Sequence, residues 1–432
     1  MYDIGIINGE VYMDNRWQRK NIYIESEKIA LIDEEVKECN QIYEAAGMQV
    51  IPGLIDSHVH LAMPAGKFMS ADDYESGSRC AVYGGVTTII NFLEETDEVN
   101  KLRKGFAAEL EKARKCAIDY SFHTSVANMK DSARLFAEYA YESGMPSIKV
   151  YTTYKDSGSY SSLKQIAQLL SCTSRKDVMV MCHAEKDDLL LHKSVLIEEF
   201  EECRPVIAEI EQVRDLAELC LKEDAFCYIV HVSAGSTVKL LKEKYNSILH
   251  KNIWLESVPH YFLFNKNVYL KENNYLYTMC PPLRSEHERL LLEDNLDEID
   301  VISTDHCPFM ISEKRNNIPD QIPMGIGSLE YSFITMYSRF GDRVIPKFTE
   351  NQARLHGLLG RKGFIKTGYD ADITIFKRTQ GYIDENHSSC DYSIYNGRKS
   401  EIKICSVLSR GKFIMLDREY LGGKGGFVKR NY

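Results

Sequence analysis

Hydrophobic and polar positions follow one another along this chain in two periods, and the order of those periods predicts its architecture. Short apolar, β-prone runs fall at residues 50–55, 86–92, 120–124, 147–151, 178–182, 226–230, 253–255 and 301–303. Between them lie longer stretches with apolar residues three and four apart, the spacing of one helix face, at residues 97–117, 133–141, 163–170, 206–221, 238–245 and 286–296. Strands that alternate with helices need crossover connections and so form a parallel sheet. Eight such strands predict an α/β fold, a closed (β/α)8 barrel of the TIM type.

The two ends of the chain follow another rule. Residues 4–7, 21–24 and 28–32 are short β-prone runs with turn residues Asn8-Gly9 and Ser26-Glu27 between them. Strand patterning returns at residues 371–376 and 402–408, and Arg410-Gly411-Lys412 reads as a hairpin turn. The ends are therefore expected to pair into one small β-sandwich domain, residues 1–50 and 366–432. The barrel, residues 51–365, would be inserted between its halves.

Charge and cysteine usage narrow the class. With 53 basic and 63 acidic residues the net charge is -10, which argues against a nucleic-acid partner. No uninterrupted apolar stretch is long enough to span a bilayer, and Met1-Tyr2-Asp3 opens no basic signal-peptide region. A cytoplasmic protein without a membrane partner is expected. The twelve cysteines are scattered, some of them (Cys182, Cys227) inside apolar runs, and none forms a CxxC pair. They read as reduced thiols, without a cysteine-based zinc site.

Candidate chemistry sits at the ends of the apolar runs, where a barrel of this type builds its active site. In chain order these residues are His58 and His60, Lys149, His183, His231 and Asp305. Histidines two apart on a strand point to one face and can grip one ion. A lone HxH is a weak signal, but here two further strand-end histidines accompany it, the pattern of a two-metal hydrolytic centre. Asp305 can bind a metal and move a proton, and it can also cap the following turn. Lys149 carries no lone pair as an ammonium. As an ordinary residue it would be a solvated strand end or an ion-pair partner.

A series of motifs resembles the cyclic amidohydrolases, within them the dihydropyrimidinase and D-hydantoinase branch. It runs from Pro52-Gly53-Leu54-Ile55-Asp56-Ser57-His58-Val59-His60 through Ala71-Asp72-Asp73-Tyr74, Gly84-Gly85-Val86-Thr87-Thr88, Ser147-Ile148-Lys149 and His183-Ala184-Glu185. It continues with Arg204-Pro205, Ile229-Val230-His231-Val232-Ser233, Pro281-Pro282-Leu283-Arg284, Thr304-Asp305-His306-Cys307-Pro308-Phe309 and Gly368-Tyr369-Asp370-Ala371-Asp372. The resemblance implies two divalent ions, zinc or else manganese or iron. His58, His60 and Asp305 would hold the first, His183 and His231 the second, and N6-carboxylated Lys149 would bridge them. It further implies metal-dependent hydrolysis of a cyclic amide to an N-carbamoyl amino acid, with Asp305 moving the proton and Tyr154 donating to the oxyanion. Backbone groups at Cys280 and Met324 would hold the amide edge, and Met63 would help shape the pocket for the ring substituent.

Several positions depart from the family pattern. Leu61-Ala62-Met63-Pro64 lacks the arginine that dihydroorotases place after the HxH to pair with a substrate carboxylate. Val150-Tyr151-Thr152-Thr153, Lys186-Asp187-Asp188 and Met324 also differ, so an altered substrate pocket is expected. Glu256-Ser257-Val258-Pro259-His260-Tyr261 resembles allantoinase-like ureide-ring hydrolases, the alternative reading, and a non-catalytic scaffold homologue is a third. Tails of this family often cross to a neighbouring subunit, and the resemblance implies a homotetramer or homodimer.

Overall fold

The computed structural model describes residues 1–173 and 177–432. Its central sheet has eight parallel strands in chain order: Leu54–Val59, Val86–Phe92, Asp119–Ser125, Ser147–Tyr151, Met179–His183, Cys227–Ile229, Ile253–Ser257 and Val301–Ile302. A parallel bridge between Val59 and His306 joins the last strand to the first, and the His60 N–H donates to the His306 carbonyl at 2.8 Å. The predicted barrel is therefore present. Its strands are buried on both faces, which is why they read as continuous apolar runs and do not alternate.

The six predicted helical stretches appear as Val99–Lys112, Ala133–Glu142, Leu163–Thr173, Val206–Glu223, Gly235–Lys244 and Glu286–Asp294. Tyr74–Tyr83 forms a helix that the pattern did not announce. Its two serines and one glycine weaken propensity, and a capping box between Asp73 and Ser76 starts it.

Strands from both chain ends share one nine-stranded sheet, as expected. Gln49–Pro52 joins its halves, parallel to Tyr2–Met13 and antiparallel to Ile373–Tyr382. This corrects the expectation of one barrel strand over residues 50–55. The apolar run divides at Gly53, whose N–H donates to the Asp372 carbonyl and where a side chain would collide with Thr87. A second correction concerns Asn8-Gly9, which is no turn. Both residues lie inside Tyr2–Met13, where the register shifts between Ile6 and Gly9 and Asn8 has φ 62°. The hairpin turns instead at Asp14 and Asn15, with φ 53° and 58°.

The C-terminal tail packs on its own barrel and does not extend outward, as tails that cross to a neighbour do. Phe427 bridges to Tyr120, and the guanidinium of Arg430, 2 % exposed, donates to the Ser121 and Ser147 hydroxyls and the Phe122 carbonyl. All twelve cysteines are free, Cys182 and Cys227 with their sulfurs 3.5 Å apart. No helix among the described residues is long and apolar enough to cross a membrane.

Candidate metal centre

His58 lies near the end of the first barrel strand and His60 just beyond it, so their rings share a face. The Nε2 atoms of both converge on one carboxylate oxygen, Asp305 Oδ1, at 3.1 and 3.0 Å. Across the barrel floor, His183 closes the fifth strand and His231 follows the sixth, with His183 Nδ1 and His231 Nε2 3.0 Å apart. The ring of His231 links the pairs, its centroid 4.6 Å from that of His183 and 5.6 Å from that of His58. Lys149, within the fourth strand, is 1 % exposed, which corrects the reading of a solvated strand end. Its Nζ lies 5.1 Å over the Phe92 ring, which also packs on His58 and His60. The six residues named from sequence thus meet in one place. Asp305, His231 and Tyr154 adopt left-handed backbone, φ 49°, 39° and 69°, a conformation that costs about 1–3 kcal/mol per residue and clusters at functional sites.

The charges explain what this floor is suited to hold. Burial drives the Asp305 carboxyl toward protonation, but the His58 and His60 imidazoles outweigh it and hold the group well below the usual carboxylate range. Burial also depresses His58, yet Glu256 and Asp305 on either side raise it to about 9. His60 and His183 are lowered by burial, and His231 falls well below its ordinary value through burial and the neighbouring His183. Two carboxylates therefore demand positive charge where three of four imidazoles prefer to stay neutral, with lone pairs free. A divalent ion meets both demands. Neutral imidazoles with carboxylates are zinc-type donors, and the buried Nδ1 atoms of His60 and His231 have no partner among the described residues. The residues present fit a metal site.

A second layer fixes these rings, and most of it was not singled out from sequence. Glu256 Oε1 faces His58 Nδ1 at 2.6 Å and accepts from the His231 N–H at 3.0 Å, while the Tyr228 hydroxyl donates to Oε2 at 2.8 Å. Glu185 Oε2 faces His183 Nε2 at 2.7 Å and is paired with the Arg204 guanidinium. Asp56 accepts from the N–H groups of His58 and Thr304, tying the first strand to the eighth, and burial pushes its carboxyl up to about 6. Such partners orient ligand rings and set their tautomers. A signal for Glu256 did exist, a lone acid inside the apolar strand Ile253–Ser257. The same contacts give the allantoinase-like segment a structural role, since Glu256 serves the histidines and His260 bonds the Tyr395 hydroxyl.

The positions expected to meet substrate fall on two sides of the centre. The Tyr154 ring lies 5.3 Å from that of His183 and beneath the Arg204 guanidinium, and its hydroxyl is paired with the Cys280 thiol. Met324 lies on the loop beside Cys280. The Lys314 ammonium donates to the carbonyls of Thr278 and Gly325 at 2.9 and 2.6 Å and so holds the two loops together. Met63 stands apart from these and shares a cavity of about 150 Å³ with His60, Phe92 and Tyr151.

The comparisons with known proteins agree with this geometry. The model of the amidohydrolase family matches residues 49–414. The D-hydantoinase of Streptomyces coelicolor is 32% identical over 410 residues, covering 89% of this chain and 87% of that protein. Among solved structures, the D-hydantoinase of Bacillus sp. AR9 is 28% identical with a TM-score of 0.92, covering 99% of each chain. The dihydropyrimidinase of Brevibacillus agri NCHU1002 is 28% identical with a TM-score of 0.92, covering 100% of this chain and 99% of that one.

Proposed function

The chain belongs to the amidohydrolase family, and from that premise we propose that it hydrolyses the C–N bond of a cyclic amide in a dihydropyrimidine or 5-substituted hydantoin ring, giving an N-carbamoyl amino acid. The observation that carries this reading is the shared carboxylate: two imidazole Nε2 atoms on Asp305 Oδ1, over a buried lysine that forms no ion pair among the described residues.

His58, His60 and Asp305 would hold one ion and His183 and His231 a second. When bound, a pair of divalent ions, zinc in this proposal, polarises a carbonyl and makes water acidic near neutral pH. Lys149 would bridge the two as a carbamate. Burial lowers its amine to about 8, so a neutral fraction exists at physiological pH. That neutral amine adds to carbon dioxide, forming an N–C bond and releasing one proton, which turns an unpaired cation into an anionic ligand.

Asp305 then carries the proton. It accepts one from the attacking water as the oxygen bonds to the ring carbonyl carbon, and delivers it to the ring nitrogen as the C–N bond breaks. The Tyr154 hydroxyl donates to the oxyanion that forms between these steps, a contact of the kind that is worth about 2.7–4 kcal/mol where measured. The backbone at Cys280 and Met324 would hold the amide edge of the ring, and Met63 would contact its substituent. The protein would act in the cytoplasm, as its free cysteines suggest, and as a homotetramer or homodimer.

Ring opening by the zinc-reconstituted protein, followed by loss of ultraviolet absorbance, tests the proposal. Turnover is expected on dihydrouracil, dihydrothymine or substituted hydantoins. Activity on allantoin or dihydroorotate alone would refute it.

A further inference from the structure

The cavity beside His60 is built for a charge that the rest of the centre does not use. Its wall next to the metal floor is apolar, with Met63, Phe92 and Leu93, while two carboxylates, Glu94 and Glu95, stand exposed at its mouth. Neither belongs to an ion pair among the described residues. The one lysine of the lining, Lys112, is already engaged, its Nζ 2.9 Å from Glu109 Oε2, and the Tyr74 hydroxyl occupies the other Glu109 oxygen at 2.6 Å. A second polar group waits deeper in. Ser125, 1 % exposed, lines the same cavity, and its hydroxyl has no hydrogen-bond partner among the described residues.

We propose that this cavity is a subsite for a positively charged ring substituent, and that the preferred substrate is a 5-(aminoalkyl)hydantoin, the ring form of a basic amino acid. The inference rests on the ring-opening reading above and goes beyond it in naming the substituent. An aminoalkyl chain matches the lining along its length. Its methylenes cover the apolar wall and its ammonium reaches the carboxylates at the mouth, as amphipathic side chains do on protein surfaces. The volume of about 150 Å³ holds roughly five water-sized groups at ~30 Å³ each, the size of an aminobutyl chain. A carboxylate substituent would meet two like charges with no free cation in the lining.

The test compares kcat/KM of the zinc-reconstituted enzyme on 5-(4-aminobutyl)hydantoin and 5-pentylhydantoin, whose side chains have equal length. The wild type should prefer the charged substrate by about tenfold or more, the size of one charge-assisted hydrogen bond. In the double variant Glu94→Gln/Glu95→Gln that ratio should fall toward one. A wild-type ratio of one or below, or an unchanged ratio in the double variant, would overturn the proposal. Should the wild type open neither ring, the ring-opening reading itself fails. Calorimetric titration with pentylammonium chloride then decides the subsite: saturable binding that the double variant weakens supports it, and no saturable binding overturns it.

Discussion

Two buried clusters in this molecule gather the same kind of side chain and do opposite things with it. His58, His60 and Asp305 bring ligand atoms within 4.8 Å of one another at the top of the barrel, and Asp119, Asp370 and Asp372 do so where the barrel meets the terminal sheet. In the lower cluster the protein supplies its own cation. Lys362 Nζ lies 2.6 Å from Asp119, 2.6 Å from Asp372 and 3.1 Å from Asp370, and Lys28 adds a second contact to Asp370 at 2.5 Å. The upper cluster has only imidazoles and a lysine outside ion-pair reach of any carboxylate. Burial lowers the amine in both, but the three carboxylates reverse the effect at Lys362 and push it above its ordinary value, while Lys149 stays depressed at about 8. A cluster of ligand-type residues therefore indicates a metal site only where the fold leaves its charge unmet. Where a buried ammonium already fills it, the cluster is a joint.

The strongest way to break this contrast is at Asp305. Asp305→Asn should keep much of the metal yet lose about 10²–10⁴-fold in turnover, the usual worth of a positioned proton carrier; a near-normal rate in a steady-state assay would remove Asp305 from proton transfer. Lys149→Ala should lose both metal and activity, and a short carboxylic acid should restore part of each. Full activity without that acid would end the bridging role.

Glu256→Gln sharpens the comparison from the second layer. Its loss should weaken metal affinity by about 10–100-fold, read by chelator competition, and unchanged affinity would mean that the His58 contact does not orient the ring. At the joint the effects should move to stability alone. Lys362→Met leaves three buried carboxylates unpaired and should cost about 3–5 kcal/mol in denaturant unfolding, with metal content per folded chain unchanged. Loss of metal there would erase the distinction. Lys28→Met is the smallest change, because the lysine is 46% exposed and such pairs contribute at most about 1 kcal/mol.

Much of this contrast was legible in the sequence because polar residues that end buried strands interrupt a strong apolar pattern. His58, His183 and Asp305 each stand where such a run stops, and the barrel supplies the convergence. What stayed hidden was relational. Nothing local shows that Glu256 reaches His58 from a strand 198 residues away in sequence, or that Lys362 gathers aspartates from a barrel strand and from the start of a terminal strand. The run over residues 50–55 hid its division because both sheets bury it, so hydrophobicity is continuous while the backbone changes partner at Gly53. The Asn8-Gly9 pair looked like a turn because its residue types permit left-handed backbone, and Asn8 does adopt it, but in a bulge. The acidic mouth of the His60 cavity was equally out of reach, since Glu94 and Glu95 lie in a polar segment that composition alone reads as loop.

The central claim is that the upper cluster is an open cation site and the lower one is not. Metal analysis of the purified, zinc-reconstituted protein after exhaustive desalting tests it most directly. The account predicts two ions per chain in the wild type and in Lys362→Met, both removed by chelation together with ring opening. A folded, active protein that carries no bound metal would contradict it.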